Sequence, residues 1–197
     1  MIDEGNKAYD PKALSRVEQA MLTAGFIVVT HEHYDHLGAL TTHPQLARVL
    51  PHTLLTAQQL AHPDKMKPAK FAEGALTGYV PLDYQGLHAV APGVVLISSP
   101  GHTPGCQLVY VQQADGQEFL FLGDVAWHLD NVQQVKERAR LVTLLIGEDR
   151  GEVLAQLATL HALLEQEPAL HQVPGHDGQV VQGLIANKLL VPQFEAR

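Results

Sequence analysis

Three imidazoles and two carboxylates crowd into the run Thr30-His31-Glu32-His33-Tyr34-Asp35-His36. Nitrogen and oxygen donors of this kind suit Zn²⁺, with Fe or Mn as alternatives. Side chains alternate along an extended backbone, so His31 and His33 face one side and can grip the same ion. Asp35 and His36 fall where a helix should start. Asp35 stays near the first pair, while His36 turns toward a second ion. The bland alternative is a polar loop in which Asp35 only caps a helix. Three histidines packed this tightly argue against it.

Three more donors stand at the ends of apolar runs. His102 lies in Ser99-Pro100-Gly101-His102-Thr103-Pro104-Gly105, Asp124 follows Phe119-Leu120-Phe121-Leu122-Gly123, and His176 lies in Val173-Pro174-Gly175-His176-Asp177-Gly178. Each is presented by a turn shaped by Gly or Pro. With the first cluster they make five His and two Asp, enough for two ions. The chain has 12 His in all, and six of the other seven read as ordinary residues. His43, His52, His62, His88 and His171 sit near Pro or at element ends, and His161 edges the apolar stripe of a long helix.

The ordered set His-x-His-x-Asp-His, Gly-His-Thr-Pro-Gly, Gly-Asp and Pro-Gly-His resembles that of the metallo-β-lactamase-fold hydrolases. The resemblance runs from about Ile2 to His176. It implies an α/β fold, a four-layer αββα sandwich with metals at one edge of its two sheets. It further implies that His31, His33 and His102 hold a first metal. Asp35, His36 and His176 would hold a second, and Asp124 would bridge them. The cofactors implied are two divalent ions, Zn²⁺ first. Asp at position 124 disfavours the true β-lactamases that place Cys there.

Two such ions share a water and lower its pKa toward neutrality, so the bridging hydroxide becomes the nucleophile. Asp35 and Asp124 are the catalytic carboxylates in this reading, Asp35 both ligating and shuttling a proton. No Ser or Cys nucleophile is needed, and Cys106 reads as a small buried residue. The expected reaction is hydrolysis of a small ester-like bond in a lactone or thioester. Tyr34, Trp127 and His128 are candidate substrate contacts. In lactone-cleaving members of the resembled family a Tyr lies three residues after the bridging Asp. Trp127 holds that position here, and its indole N–H can donate a hydrogen bond. Alternatives are a phosphodiesterase acting on a small or lipid-like substrate, or a truncated form that binds metal without turnover.

Composition narrows the partners. The net charge of −8 argues against a nucleic-acid backbone, so a small molecule is the expected partner. A single Cys excludes a disulfide framework and Cys-based zinc modules. No apolar run is long enough for a membrane span. The N-terminus lacks the basic and apolar regions of a signal peptide, which points to the cytoplasm. A length of 197 residues fits one domain, taken as residues 1–197.

Alternating elements must position these donors. A helix capped by Asp10 and Pro11 runs toward Gly25. A buried strand over 26–29 delivers the chain to Thr30. A helix over 37–50 with a break at Pro44, a short strand over 53–56 and a helical turn over 58–60 follow. Residues 62–85 read as a long loop with a helical turn. Strands are expected over 87–90, 94–98, 107–112 and 118–122, with a hairpin at Asp115-Gly116. Some helix falls within 127–146. Val153, Leu157, Leu160 and Leu164 mark an amphipathic helix stopped by Pro168. A last strand over 170–173 and a helix over 180–190 end the pattern, which reads as a mixed sheet in a layered α/β fold.

In the resembled family several strands precede the His-rich motif and end in a Leu-Ile-Asp-Thr-Gly-like turn. Ile2-Asp3-Glu4-Gly5 resembles that turn, which would make Asp3 an outer carboxylate of the metal site. The first sheet is then incomplete. An exposed sheet edge predicts reduced stability or association into homo-oligomers.

Overall fold

A computed structural model describes residues 11–192. The expectations for Asp3 and for the Asp10 cap lie outside those residues. Helix α1 (Pro11–Thr23) opens at Pro11, whose fixed φ suits a first turn and whose missing N–H costs nothing there. Strand β1 (Ile27–Val28) pairs in parallel with β2 (Thr53–Leu54). Between them run α2 (Tyr34–Thr41), α3 (Leu46–Val49) and a 3₁₀ turn over Leu50–His52. The expected break at Pro44 is present. Helix α4 (Ala57–Ala61) starts on a capping box in which Thr56 Oγ1 accepts from Gln59 N and Gln59 Oε1 accepts from Thr56 N.

The second sheet has five strands in sequential order. β3 (Leu87–Ala91), β4 (Val94–Ser98), β5 (Gln107–Gln112) and β6 (Glu118–Gly123) form an antiparallel meander. β7 (Leu170–Pro174) joins β6 in parallel after a crossover through α5 (Leu129–Gln133), α6 (Arg140–Ile146) and α7 (Arg150–Gln166). Helix α8 (Gly178–Ala186) closes the described chain. The mixed sheet is the one expected. The first sheet consists of only two short strands among the described residues.

Strand alternation sorts the core. Leu108, Leu120 and Leu122 pack against Val153, Leu157 and Leu160 of α7 on one face of the large sheet. Phe119 and Val173 pack with Leu184 of α8 on the other. A third cluster, built from Val29, Leu37, Leu40, Val49, Leu55 and Met66, surrounds the small sheet. Residues 62–85 form no helix or strand, yet they are pinned. Tyr79 Oη donates to Thr53 O at 2.6 Å and accepts from Leu55 N at 2.7 Å. Met66 of the same stretch is buried.

Two buried amides join the sheets where the first donors emerge. Gln107 Nε2 and Gln59 Nε2 both donate to Val29 O, at 2.7 and 2.8 Å. Gln107 N donates to Thr30 O at 2.8 Å. The carbonyls that follow β1 are thus satisfied although the ladder has ended. Among the described residues, no helix is long and apolar enough to cross a membrane.

Candidate metal centre

All seven expected donors meet at one edge of the two sheets. His31, His33 and His102 form one group, and Asp35, His36, Asp124 and His176 form an adjoining one. Within each group the donor atoms lie within 4.8 Å of one another. The rings of His31 and His33 stand edge-to-face with centroids 4.9 Å apart, and His102 lies 4.7 Å from both. His33 Nδ1 is 3.0 Å from His102 Nε2. Regular pairing stops at Val28, and the chain bends through Thr30 and Glu32. The same-side placement of the two histidines survives that bend.

Asp124 sits between the groups. Its Oδ1 lies 3.1 Å from His36 Nε2 and 3.2 Å from His176 Nε2. Its Oδ2 lies 3.6 Å from His102 Nε2 and 3.9 Å from His31 Nε2. Asp35 Oδ2 is 3.6 Å from His36 Nε2 and 3.7 Å from His176 Nε2. Backbone geometry makes this approach possible. Gly123 ends β6 at φ +51°, and a Cβ there would lie 2.8 Å from Thr30 Cβ. A Cβ on Gly175 would meet Asp124 Oδ1 itself.

The donors have the chemistry of a cation site. Three converging buried atoms, His31 Nε2, His36 Nε2 and Asp124 Oδ1, accept or donate no hydrogen bond. Buried polar atoms normally find partners, so this concentration of open ones fits a cation-binding site. Burial holds His31 and His33 below the ordinary histidine value and takes His102 down to about 3. Neutral imidazoles keep the lone pairs that ligation requires. Burial pushes the Asp124 carboxyl up, but the facing imidazoles of His176, His36 and His31 outweigh it and hold the group well below the usual carboxylate range. Burial raises the Cys106 thiol instead, which leaves it inert.

The candidate substrate contacts divide. Trp127 Nε1 donates to Asp124 Oδ2 at 2.7 Å, so the indole N–H serves the carboxylate. Its ring stands edge-to-face to His176 with centroids 5.7 Å apart. Tyr34 is the first residue of α2 and is exposed. His128 is exposed and precedes α5, its N–H bound by Asn131 Oδ1 at 2.9 Å. It touches no donor among the contacts of the centre.

Sequence reasoning missed the residues that hold the donors. Thr30 Oγ1 lies 3.2 Å from His31 Nδ1 and 3.4 Å from His36 Nδ1. Glu32, fully buried, accepts from Thr103 Oγ1 at 2.7 Å and from Gly105 N at 3.1 Å, which fixes the turn carrying His102. Burial pushes the Glu32 carboxyl up, against those hydrogen bonds. A Cβ on Gly105 would lie 2.7 Å from Glu32 Oε2. Glu148 Oε1 lies 2.5 Å from His102 Nδ1 and accepts from Arg138 Nη1. Glu32 stands inside the motif, and the alternation that aims His31 and His33 also sets it apart. For Glu148 and Arg138 no local signal exists.

Comparison with known proteins places this geometry. No curated protein sequence matches the chain. An N-acyl homoserine lactone hydrolase with N-hexanoyl-L-homoserine at its catalytic metal centre superposes with a TM-score of 0.61 at 21% identity, over 87% of this chain and 63% of that one. A mutant of AiiA from B. thuringiensis with N-decanoyl-L-homoserine bound gives 0.60 at 21% identity, over 86% and 62%. TTHA1623 in a di-iron-bound form gives 0.54 at 22% identity, over 87% and 79%. The chain thus spans about 63% of the length of the first of these lactonases. These likenesses establish the fold. The model of the metallo-beta-lactamase superfamily matches residues 6–180, and the chain belongs to that superfamily.

Proposed function

We propose that the chain is a metal-dependent hydrolase acting on a small ester-like substrate, a lactone or thioester, with two divalent ions, Zn²⁺ first, as cofactors. The observation that carries this reading is the pair of adjoining donor groups around Asp124, with buried His31 Nε2, His36 Nε2 and Asp124 Oδ1 left without hydrogen-bond partners. Two bound divalent ions supply a water of lowered pKa and an electrophile for the oxygen that gains charge. His31, His33 and His102 would hold the first ion, Asp35, His36 and His176 the second, and Asp124 both.

The remaining chemistry belongs to side chains. Asp35 is 40% exposed and lies between His36, His176 and solvent. It is placed to carry a proton from the attacking water to the leaving group. The imidazoles of His36 and His176, 3.1 and 3.2 Å from Asp124 Oδ1, favour its charged form. Trp127 steadies Asp124 Oδ2, so its N–H is engaged and does not polarise a substrate carbonyl in this arrangement. The structures of the N-acyl homoserine lactonases support a lactone as the first substrate to try.

A second reading, a phosphodiesterase, draws on a groove of about 620 Å³ lined by Lys136, Glu137, Arg138, Arg140 and Arg150. Arg138 and Arg150 are paired with Glu148 and Glu137, so Lys136 and Arg140 are the cations it offers an anionic substrate. Metal analysis paired with a screen of lactones, thioesters, β-lactams and phosphodiesters tests both. The reading predicts metal uptake and turnover by the unmodified chain, and loss of both in His31→Ala and Asp124→Ala. It fails if the metal-loaded chain turns over nothing in the panel, or if neither substitution lowers metal content.

A further inference from the structure

Arg138 and Glu148 lie outside every ligand position, yet they touch both donor groups. The Glu148 side chain is fully buried, and its Oε1 lies 2.5 Å from His102 Nδ1. Arg138, also buried, donates through Nη1 to that same Oε1 and through Nη2 to the backbone carbonyl of Asp124. Its guanidinium stacks over the Trp127 ring, 4.6 Å from the centroid. Trp127 in turn donates to Asp124 Oδ2. One planar fork therefore connects the histidine of the first group with the backbone and, through the indole, the carboxylate of the shared donor.

Resting on the assignment of His102 and Asp124 as ligands, we propose that Arg138 and Glu148 are positioning residues that clamp His102 and Asp124 together. Through them, loading of the first ion is linked to the placement of the shared carboxylate. Two physical arguments carry this. A carboxylate at Nδ1 fixes the imidazole tautomer that leaves the Nε2 lone pair facing the ion, and it raises ligand basicity. The pair is also poorly built for stability alone. Arg138 Nε and Glu148 Oε2 are buried without partners, and a buried ion pair with unmet groups is a weak stabiliser compared with apolar residues of the same volume. A guanidinium is required because only a planar fork reaches Glu148 and the Asp124 carbonyl at once while stacking on Trp127.

The test uses the full chain with Zn²⁺ and Co²⁺ as probes. Affinities are measured by competition with a chelator for the unmodified chain, Glu148→Gln and Arg138→Lys, with far-ultraviolet circular dichroism as the fold control. The clamp predicts that Glu148→Gln weakens the tighter site about 10–100-fold and shifts its Co²⁺ absorption bands. Arg138→Lys weakens the same site less, because one ammonium keeps one of the two contacts. Unchanged affinity and cobalt spectrum, with only a lowered melting temperature, would overturn the proposal. If Glu148→Gln fails to fold, nitrogen-resolved NMR of the unmodified chain decides. A slowly exchanging proton on His102 Nδ1 supports the clamp, and a proton on Nε2 sinks it. If the unmodified chain takes up no metal, the hydrolase reading fails separately, and the NMR result still decides the clamp.

Discussion

The two donor groups are built in opposite ways. His31 and His102 are buried, all three donors of their group are nitrogens, and each of the two has a fixed partner at Nδ1. The other group opens outward, with Asp35 and His176 each about two-fifths exposed and a mixed nitrogen and oxygen donor set. The first is assembled where both sheets, the Gly101–Gly105 turn and the α6–α7 junction converge. The second rests on the first turn of α2 and the turn after β7. The difference teaches that preorganisation and access are divided between them. In the proposed centre the rigid buried half would bind its ion tightly, and the looser half would leave room for exchange and substrate.

The largest effect that sharpens this comparison is at the residue both halves share. Asp124→Ala should remove both ions and cost more than the roughly 100-fold that marks loss of an outer-shell partner. It is read by metal content and kcat/KM together. Next come the halves themselves. His31→Ala should strip the tight ion, and His176→Ala should leave one ion bound after dialysis. Equal metal loss in the two variants would break the asymmetry.

Acid should attack the buried half first. The folded values of His31, His33 and His102 lie below the ordinary 6.5, that of His102 at about 3. Between those limits the unfolded chain binds protons that the folded one refuses. Stability of the metal-free chain is therefore complete above the ordinary value and falls as pH drops toward about 3. A melting temperature that stays flat from about pH 7.5 to about pH 4.5 would contradict this.

Smaller effects test the supports. Glu32→Ala strands Thr103 Oγ1 and Gly105 N in a buried place, and should cost about 1–3 kcal/mol in denaturant unfolding. Its metal affinity should fall at the first site only. Trp127→Phe keeps the ring beneath Arg138 but deletes the donor to Asp124 Oδ2. It should cost about 1 kcal/mol, with kcat changed a few-fold at most. A collapse of activity in that variant would mean that the indole meets substrate after all.

The candidate donors were legible because each is local. They stand at strand ends beside Gly or Pro, and the order of those ends is the order of the strands. Helix α7 was legible for a similar reason, since its stripe of Val153, Leu157 and Leu160 is the face it buries. The stretch over 127–146 was not. It divides into α5 and α6, and α6 leaves Leu141, Leu144 and Leu145 exposed, so apolar spacing there reports no buried face. Helix α8 was placed over 180–190 but ends at Ala186. Lys188 turns to φ +61°, and Leu189 and Leu190 reach the core from beyond the helix. Glu148 and Arg138 were invisible because their role is created by tertiary approach. Glu148 meets His102 across 46 residues of chain.

The bend over Thr30–His33 carries one more lesson. His31 and His33 turn their donor atoms to the centre, while Glu32 between them holds the turn that delivers His102. Both tasks depend on parity along the chain, so the segment is a reading frame as much as a motif. Its letters can be exchanged one at a time at graded cost. Adding or deleting a single residue between Val29 and His33 would trade the two tasks and lose both. Evolution or design can therefore retune this centre by substitution, whereas changes of length must be confined to connections such as residues 62–85, which carry none of its donors.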